Sequence, residues 1–270
     1  RHANRPSVNF QAAMTKEITS AANPFIKRLK ALVTSKKARA ESGVFALEGW
    51  RGVKTLLDHE SPFFEIEQLV ISSDWNQAPT PETIETTRLP AHLFDKISDT
   101  RNAQGILAIV RSKPVAFEIP ARGRFLLLDN LRDPGNLGTL IRSAVGAGFD
   151  GVLLYGDCVE PTNPKVVRST MGAFAFANTR EIARAELDQL LAAGFELCVT
   201  TGLGGENLYE TAFGDKTVLV IGSEAHGVSE ELFAKASKKI TIPLAPECES
   251  LNAAIAGSVC MFQIARGANG

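Results

Sequence analysis

Three polar segments of the sequence contain residue types that bind ligands or move protons, and each follows an apolar run. The segments are 129–143, 222–229 and 243–252. A helix that begins after such a segment presents free backbone N–H groups to an anion or a polar ligand. The glycine spacing of the first segment fits neither a P-loop nor a dinucleotide fingerprint, so it does not indicate a nucleotide cofactor. Recognition of another polar ligand is the chemistry that these segments predict.

The first segment places Asn136 in the first turn of a helix and Arg142 six residues later. This spacing puts Arg142 roughly opposite Asn136, where it could reach another groove. Both side chains also have an ordinary interpretation, in which Asn136 caps the helix and Arg142 is a surface cation. In the second segment Glu224 follows a buried strand, where an acid needs a partner. Ser229 is a good candidate for the cap of the next helix.

Two other side chains are candidates for catalysis. His226 has the chemistry of a general base, although a loop histidine beside glycines is more often a surface residue. Cys248 is a candidate nucleophile, but His226 is the only histidine that a motif places near it. In the third segment Ser250 is a candidate cap for the last helix. Asn252 would then lie in the first turn of that helix, where asparagine is an unusual residue because it is a poor helix former.

Alternating strands and helices in the second half predict the scaffold of these segments. The predicted strands are 125–129, 152–155, 174–177, 197–200, 218–221 and 240–242. The predicted helices are 136–147, 163–171, 185–193, 229–237 and 250–266. Apolar strands separated by helices are typical of a parallel sheet with both faces covered, and such sheets bind ligands beyond the carboxyl ends of their strands. The three polar segments lie at such ends.

The first half predicts a smaller α/β unit. Helices are expected from about residue 24 and at 49–59, and strands at 45–48, 69–72 and 105–110. The expected domain organisation is a disordered tail or cloning remnant at 1–15, a small domain at 16–112, a linker at 113–122 and a larger domain at 123–270. Met14 is the candidate natural start, and the linker contains Pro114 and Pro120 without any periodicity.

Composition limits the classes to which the protein can belong. The 270 residues are 44% hydrophobic and 22% charged, which is typical of one large or two ordinary globular domains and excludes wholesale disorder. No apolar run approaches the ~18 residues that a membrane helix needs, so no membrane partner is expected. The four cysteines are scattered without a CxxC pair, which argues against a disulfide scaffold and a metal site and favours the cytoplasm.

The net charge of −1 hides a strong local asymmetry. Residues 1–57 hold 11 Lys and Arg against 3 Asp and Glu, whereas residues 58–100 hold 2 against 9. A basic block can bind a polyanion, but a solvated helix face explains the same pattern. The candidate phosphate contacts are Lys27, Arg28, Lys30, Lys36, Lys37 and Arg39.

In this order and at these separations, the three polar segments resemble the three motifs of the SpoU (TrmH-like) RNA ribose methyltransferases of the SPOUT superfamily. The matching residues are Asn130, Asp133–Asn136, Gly138 and Arg142, then Gly222–Gly227, then Ile242, Pro243 and Ser250–Asn252. The resemblance covers residues 125–266. Residues 16–112 resemble the N-terminal substrate-binding domain of that family, an α/β unit similar to RNA-binding ribosomal proteins.

The resemblance implies a fold that strand patterns cannot predict. In that family the parallel-sheet domain is tied in a deep trefoil knot, whereas general topology rules make knots almost absent. The knot forms the site of the cofactor S-adenosylmethionine, and the active site spans a homodimer interface. The matching positions imply cofactor contacts at Thr201, Gly202, Gly222, Ile242 and Leu251.

The activity that the resemblance implies is methyl transfer to a ribose 2′-hydroxyl of RNA, in ribosomal more than in transfer RNA. A 2′-hydroxyl also distinguishes RNA from DNA. The implied catalytic residues are Arg142, Asn136, Glu224, Ser250 and Asn252. Because a guanidinium stays protonated, we expect Arg142 to bind the adjacent phosphate and to stabilise the developing alkoxide, while the other four orient Arg142 and the ribose.

Two departures from the family pattern leave a rival function open. Pro246 stands where the family has glycine, and Ala253 follows Asn252 where valine is usual. Proline removes a backbone N–H, so Pro246 would weaken cofactor binding if that N–H met the cofactor. A non-catalytic RNA-binding protein of the same fold is the alternative, but the retention of Arg142, Glu224 and Asn252 argues against it. A Rossmann dehydrogenase is disfavoured, because the chain lacks a true GxGxxG followed by a helix and an acid ~20 residues on.

Overall fold

The computed structural model describes residues 15–100 and 102–267, so the predictions made for residues 1–14 and for 268–270 lie outside the described residues. The described chain divides into two compact units. The first comprises the residues up to Glu60 together with Phe64–Ser112, and the second comprises Ser61–Phe63 together with the residues from Lys113 onward. The segment predicted as a linker packs within the second unit, where the ring of Phe117 lies 6.2 Å from that of Phe125.

The first unit is built on a mixed sheet. Its strands are β1 (Thr15–Glu17), β2 (Val44–Glu48), β3 (Phe64–Ser72), β4 (Glu85–Leu89) and β5 (Ile106–Ser112). Its helices are α1 (Pro24–Thr34), α2 (Lys36–Ser42), α3 (Trp50–Asp58) and α4 (Ala91–Asp95). The strand order is β1-β4-β3-β5-β2, in which β5 is antiparallel to both neighbours and the other pairs are parallel.

Helix α1 shows how the sequence builds this unit. The side chain of Asn23 accepts a hydrogen bond from the backbone N–H of Phe25 at 2.9 Å, and Pro24 occupies the first helical position. One face of α1 is buried against the sheet, with Leu29 fully enclosed. The charged face of the same helix stays in solvent, as its apolar periodicity predicts.

The second unit contains a parallel sheet. Its strands are β6 (Gly123–Asp129), β7 (Gly151–Tyr155), β8 (Thr179–Glu181), β9 (Glu196–Thr200), β10 (Glu206–Asn207), β11 (Lys216–Ile221) and β12 (Lys238–Thr241). Its helices are α5 (Pro134–Gly146), α6 (Pro164–Ser169), α7 (Arg184–Ala192), α8 (Glu230–Ala234) and α9 (Ala253–Gly267). Over the described residues the order is β10-β12-β9-β11-β6-β7-β8.

Alternating side chains of the central strands bury both faces of this sheet. Leu126 and Leu128 of β6 pack in the cluster that contains α5 and α9 residues, whereas Leu127 packs in the cluster that contains α7 residues. Each fully buried leucine contributes about 1.5–3 kcal/mol relative to an exposed one. These two layers hold the carboxyl ends of β6 and β11 side by side, where the polar segments begin.

One predicted strand is wrong. Residues 174–177 were expected as a weak strand, but Ala173–Phe176 form a 3₁₀ helix and the strand β8 follows it. Adjacent residues Phe174 and Ala175 are both buried, a pattern that a helical turn satisfies and an alternating strand does not. Gly172, at φ +95°, makes the turn that starts this helix.

The last helix returns to the middle of the sheet. β12 lies beyond β9, yet the following chain packs α9 against α5 and β11. The trefoil knot itself stays a prediction. Within the described residues, no helix is both long and apolar enough to cross a membrane.

Candidate active site

A cavity of about 410 Å³ lies at the carboxyl ends of β9, β11 and β12. Its volume falls in the range of roughly 300–1,000 Å³ that is common for small-molecule sites. Of the ten residues predicted for catalysis or cofactor binding, eight line this cavity: Thr201, Gly202, Gly222, Glu224, Ile242, Ser250, Leu251 and Asn252. The fold therefore brings distant stretches of sequence to one place, while the roles of these residues stay predictions.

The second polar segment forms a tight turn that presents Glu224 to the cavity. The backbone N–H of Ser223 donates to the carbonyl of Gly227 at 3.0 Å, and the N–H of Gly227 donates back at 2.9 Å. A methyl group added to Gly222 would lie only 2.0 Å from the carbonyl carbon of Gly227. Glycine is therefore required at 222, because any side chain would force this turn open.

A chain of hydrogen bonds joins all three polar segments. The amide of Asn252 donates from Nδ2 to Oδ1 of Asn136 at 3.0 Å, and Nδ2 of Asn136 donates to the carboxylate of Glu224. A carboxylate only accepts, so Glu224 determines the orientation of the Asn136 amide, which in turn determines that of Asn252. The three side chains thus hold one another at the edge of the cavity.

Asn136 is available for this chain because another residue caps α5. The side chain of Asp133 accepts the backbone N–H of Asn136 at 2.7 Å, and Pro134 occupies the first helical position. The ordinary interpretation, in which Asn136 is the cap, is therefore wrong. The side chain of Asn136 connects two segments instead of satisfying its own helix.

Asn252 is the cap of α9, which corrects the assignment of that role to Ser250. Its Oδ1 accepts the backbone N–H groups of Ala254 at 2.9 Å and of Ile255 at 3.3 Å. The helix begins at Ala253, three residues later than predicted. An asparagine that is unfavourable inside a helix is favourable at its cap, so the position of Asn252 needs no special explanation.

Arg142 lies apart from the cavity. It is exposed on α5, about 9 Å along the helix axis from Asn136 at 1.5 Å per residue. It is not among the residues that line the cavity, and the described part of the chain offers it no hydrogen bond or ion pair. Any role in the reaction therefore requires RNA or a second chain to approach α5.

The rival catalytic residues lack the surroundings that their chemistry needs. His226 is exposed at the tip of the Gly222–Ser229 turn and does not line the cavity. The thiol of Cys248 is exposed and donates to the carbonyl of Ser250 at 3.4 Å. Burial raises the pKa of the Cys198 thiol to about 12, so this thiol on β9 is protonated and inert at neutral pH.

The cavity wall is acidic and apolar. Glu224 and Glu249 are its charged side chains, and no lysine, arginine or histidine occurs among the described residues that line it. The apolar part of the wall comes from residues that the sequence did not single out, notably Ile221, Val228 and Leu244. These residues lie at or after the ends of strands, and that position is the feature of the sequence that could have identified them. This lining suits a ligand with positive charge and an apolar part better than one with phosphates.

Pro246, one of the two departures from the family pattern, lies in a reverse turn outside the cavity lining, whereas Ala253 is part of that lining. The backbone N–H of Cys248 donates to the carbonyl of Ala245 at 2.9 Å, which places Pro246 at the second position of the turn. Proline is favoured at that position because its φ is already suitable.

Five of the six candidate phosphate contacts lie exposed on α1 and α2: Lys27, Arg28, Lys30, Lys36 and Lys37. Arg39 is only 6% exposed, which contradicts its assignment. Its guanidinium donates to the backbone carbonyls of Leu32 at 2.7 Å and of Val33 at 3.1 Å. Arg39 therefore satisfies the carbonyl end of α1 rather than meeting RNA.

Fold and site together define a parallel-sheet α/β protein whose ligand cavity lies where the three motif segments meet. The family model of the SpoU rRNA methylases matches residues 123–262, and that of the MRM3-like substrate-binding domain matches residues 23–108. The chain belongs to the SpoU rRNA methylase family.

Among the residues that the structure describes, no cluster of three or more His, Cys, Asp or Glu could hold a metal ion.

Named relatives cover nearly the whole chain. An uncharacterised tRNA/rRNA methyltransferase of Synechocystis is 30% identical, with 92% of this chain and 93% of the relative covered. The 23S rRNA (guanosine(2553)-2′-O)-methyltransferase RlmP of Bacillus subtilis is also 30% identical, over 92% of this chain and 99% of the relative. The crystal structure of an AdoMet-bound rRNA methyltransferase from Sinorhizobium meliloti superposes with a TM-score of 0.81 at 28% identity, covering 93% of this chain and 98% of the other.

Proposed function

We propose that the protein is an S-adenosylmethionine-dependent methyltransferase that modifies a ribose 2′-hydroxyl of RNA. The observation that carries this proposal is the hydrogen-bond chain from Asn252 through Asn136 to Glu224. It joins the three motif segments of the SpoU family at the edge of a single cavity. The named 2′-O-methyltransferase relative from Bacillus subtilis supports the same reaction.

The cavity suits S-adenosylmethionine, which when bound supplies a methyl group on a positively charged sulfur. Glu224 and Glu249 favour a cationic ligand, and the absence of lysine and arginine from the described lining disfavours a dinucleotide. Thr201, Gly202 and Gly222 would bind through backbone groups, and Ile242 and Leu251 would contact the apolar part of the cofactor.

The remaining residues position the ribose and stabilise the charge that develops on its 2′-oxygen while the hydroxyl proton leaves to water. Glu224 and Asn136 hold each other and orient the 2′-hydroxyl, Asn252 holds Asn136 from the start of α9, and Ser250 lines the cavity beside them. Arg142 binds the phosphate next to that ribose and stabilises negative charge that develops on the 2′-oxygen. Because a guanidinium stays protonated, this role suits Arg142 better than that of a base.

Ribosomal RNA is the favoured substrate. The first unit matches a substrate-binding domain model, and its exposed lysines and arginine on α1 and α2 supply phosphate contacts that position RNA without specifying sequence. Two relatives, from Bacillus subtilis and Streptomyces viridochromogenes, are named for 2′-O-methylation of a defined nucleotide of 23S rRNA. We further place the protein in the cytoplasm, in agreement with its four free cysteines.

A homodimer would complete the site through the outer face of α9. Ile255 and Phe262 on this face are 53% and 52% exposed, although the opposite face of the helix packs in the core. Phe262 lies beside α5, since a methyl group added to Gly146 would be 3.5 Å from its ring. Gly146 is one helical turn beyond Arg142, so a second copy seated on this face would approach Arg142. Sedimentation velocity of Phe262→Glu tests this interface, and a dimer as stable as that of the wild type would refute it.

The proposed reaction is tested by methyl transfer from tritiated S-adenosylmethionine to transcribed 23S rRNA fragments and, in parallel, to transfer RNA. We expect label in rRNA that survives alkali as an uncleaved dinucleotide, because a methylated 2′-oxygen cannot attack the neighbouring phosphate. Label on a base would refute ribose methylation, and label confined to transfer RNA would refute the substrate. Binding of RNA without any transfer would favour a non-catalytic RNA-binding protein.

A further inference from the structure

Two side chains at the carboxyl end of β6 lie outside the cavity lining but connect its supporting loops. Asp129 is only 1% exposed, and its carboxylate accepts the backbone N–H of Ser229 at 2.7 Å. The other carboxylate oxygen accepts from the amide of Asn130, also at 2.7 Å. A buried carboxylate with two such donors is held in one orientation.

Asn130 extends this connection to a third loop. Its backbone is left-handed at φ +54°, a conformation that asparagine tolerates better than most residues. Its Oδ1 accepts the backbone N–H of Asp157 at 2.9 Å, and a methyl group added to Gly156 would lie 2.5 Å from that oxygen. The pair Asp129–Asn130 thus joins the loops that follow β6, β7 and β11.

The connection to Ser229 matters because Ser229 ends the turn that presents Glu224. The turn starts at Gly222, directly after the buried strand β11. Its other end precedes the short helix α8 and is held to β6 by the N–H of Ser229. The side chain of Ser229 makes no capping hydrogen bond to α8, so the backbone contact with Asp129 is the anchor that the structure provides at this end.

We propose that Asp129, held in orientation by Asn130, is a positioning residue of the methyltransferase site. It locks the Gly222–Ser229 turn to the strand that leads into α5, and thereby sets the distance between Glu224 on the turn and Asn136 on α5. It also holds the cavity wall that the turn supplies. This inference rests on the proposed function, since it deepens the description of the same cavity.

The test measures S-adenosylmethionine affinity by calorimetric titration of the full-length protein and its variants at 20 °C. Asp129→Ala leaves the N–H of Ser229 without its acceptor, and we expect the Kd to rise at least about fivefold. Asp129→Asn keeps one oxygen that can accept this N–H, but its NH2 group faces the donor amide of Asn130, so it should recover only part of the lost affinity. The same order of variants is expected for kcat in the methyl-transfer assay.

Thr217→Val is the matched control. Thr217 is fully buried in β11, next to β6, but at the opposite end of the sheet, and its hydroxyl donates to the carbonyl of Gly214 at 3.0 Å. The variant loses one hydrogen bond of a buried side chain and should lower Tm without changing the cofactor Kd. A merely structural role of Asp129 would give the same result as this control.

Asn130→Gly provides a second variant in case Asp129→Ala does not fold. Glycine adopts φ +54° without strain, so only the two side-chain hydrogen bonds are lost. We expect a rise in Kd of at least about threefold. The inference is overturned if every folded variant at 129 and 130 binds within twofold of the wild type. A wild-type protein that binds no S-adenosylmethionine would instead refute the proposed function.

Discussion

Replacing Asn136 by aspartate tests the hydrogen-bond chain more sharply than truncation to alanine, because the shape of the side chain is kept and only its N–H donor to Glu224 is lost. Asn136→Ala removes one bond to a carboxylate and one to an amide. Allowing for partial exposure, these contribute together about 1.5 kcal/mol, or roughly tenfold in kcat/KM. Asn136→Asp adds a second carboxylate facing Glu224. Its oxygen still accepts from Asn252, so the loss is about 1 kcal/mol for the donor to Glu224 plus about 1 kcal/mol of repulsion in a water-like dielectric at 4 Å, or roughly thirtyfold in kcat/KM.

The stability and the pH dependence of this variant separate its local effect from misfolding. An acidic side chain in the first turn of α5 interacts favourably with the helix dipole and offsets part of the repulsion, so Tm should fall by only a few degrees. Facing carboxylates raise the pKa of the pair, and a protonated carboxyl can donate as the amide did. Activity of Asn136→Asp relative to the wild type should therefore rise as pH falls from 8 to 5.

The assay is methyl transfer to an rRNA fragment, with kcat and KM measured separately. Thr139→Asp is the matched control, because it adds the same charge at an exposed position of α5 and should stay within about threefold of the wild type. An Asn136→Asp enzyme as active as Asn136→Ala at pH 8, or one without the pH effect, would refute this account of the chain.

Arg142→Ala should abolish methyl transfer yet change the cofactor Kd by less than twofold, because Arg142 does not line the cavity; transfer at the wild-type rate would contradict its role. The double variant Lys27→Gln/Lys30→Gln should bind RNA with a shallower salt dependence in a filter-retention assay. The slope of log K against log salt concentration should fall by about 2 if each lysine contacts one phosphate, and an unchanged slope would mean that both lysines belong to a solvated helix face. Pro246→Gly should leave the cofactor Kd, measured by calorimetry, within twofold of the wild type, because Pro246 occupies an ordinary turn. A lower Kd would show that the backbone N–H absent from proline does contact the cofactor. The free energy of unfolding should fall as pH rises above 9, because the unfolded Cys198 thiol ionises there while its folded pKa is about 12; urea titrations of Cys198→Val should show a smaller fall, and an equal fall would contradict this.

The placement of the ligand cavity was predictable from local patterns. Apolar runs ending at Leu128, Ile221 and Ile242 predict parallel strands, and ligands bind beyond the carboxyl ends of such strands. β6 and β11 are neighbours in register, so the segments that follow them meet. The polar strand β4 was not predicted, because Thr86 and Thr87 are buried there without any apolar alternation.

Helix caps were less predictable, because adjacent polar residues compete for the same backbone groups. Asp133 and Asn136 are both good candidates at the start of α5, and Ser250 and Asn252 are both good candidates before α9. Asp133 caps α5 while Asn136 bonds to Glu224, a residue 88 positions away in the chain. That choice depends on a partner that only the folded chain brings close.

Arg39 illustrates the same limit for charge. Its neighbours in sequence are exposed, and nothing in the basic block distinguishes it from them. The break between α1 and α2 at Ser35 turns its side chain back onto the free carbonyls of α1. Composition identifies a set of cations, whereas burial decides which of them remain available to RNA.

The sequence by itself determined the two-part α/β architecture and the strand ends that carry the motif segments, because apolar periodicity and glycines that permit close turns are local properties. The family resemblance of the same sequence identified eight of the residues that line the cavity. Only the tertiary structure decided that Asn136 bonds to Glu224, that Asn252 caps α9, that Arg39 is buried and that Asp129 reaches Ser229. The contacts of Asn136 and Asp129 join residues 88 and 100 positions apart, and their partners are chosen by the packing of the sheet and its helices. The contacts of Asn252 and Arg39 are local, but they depend on where α9 begins and where α1 ends.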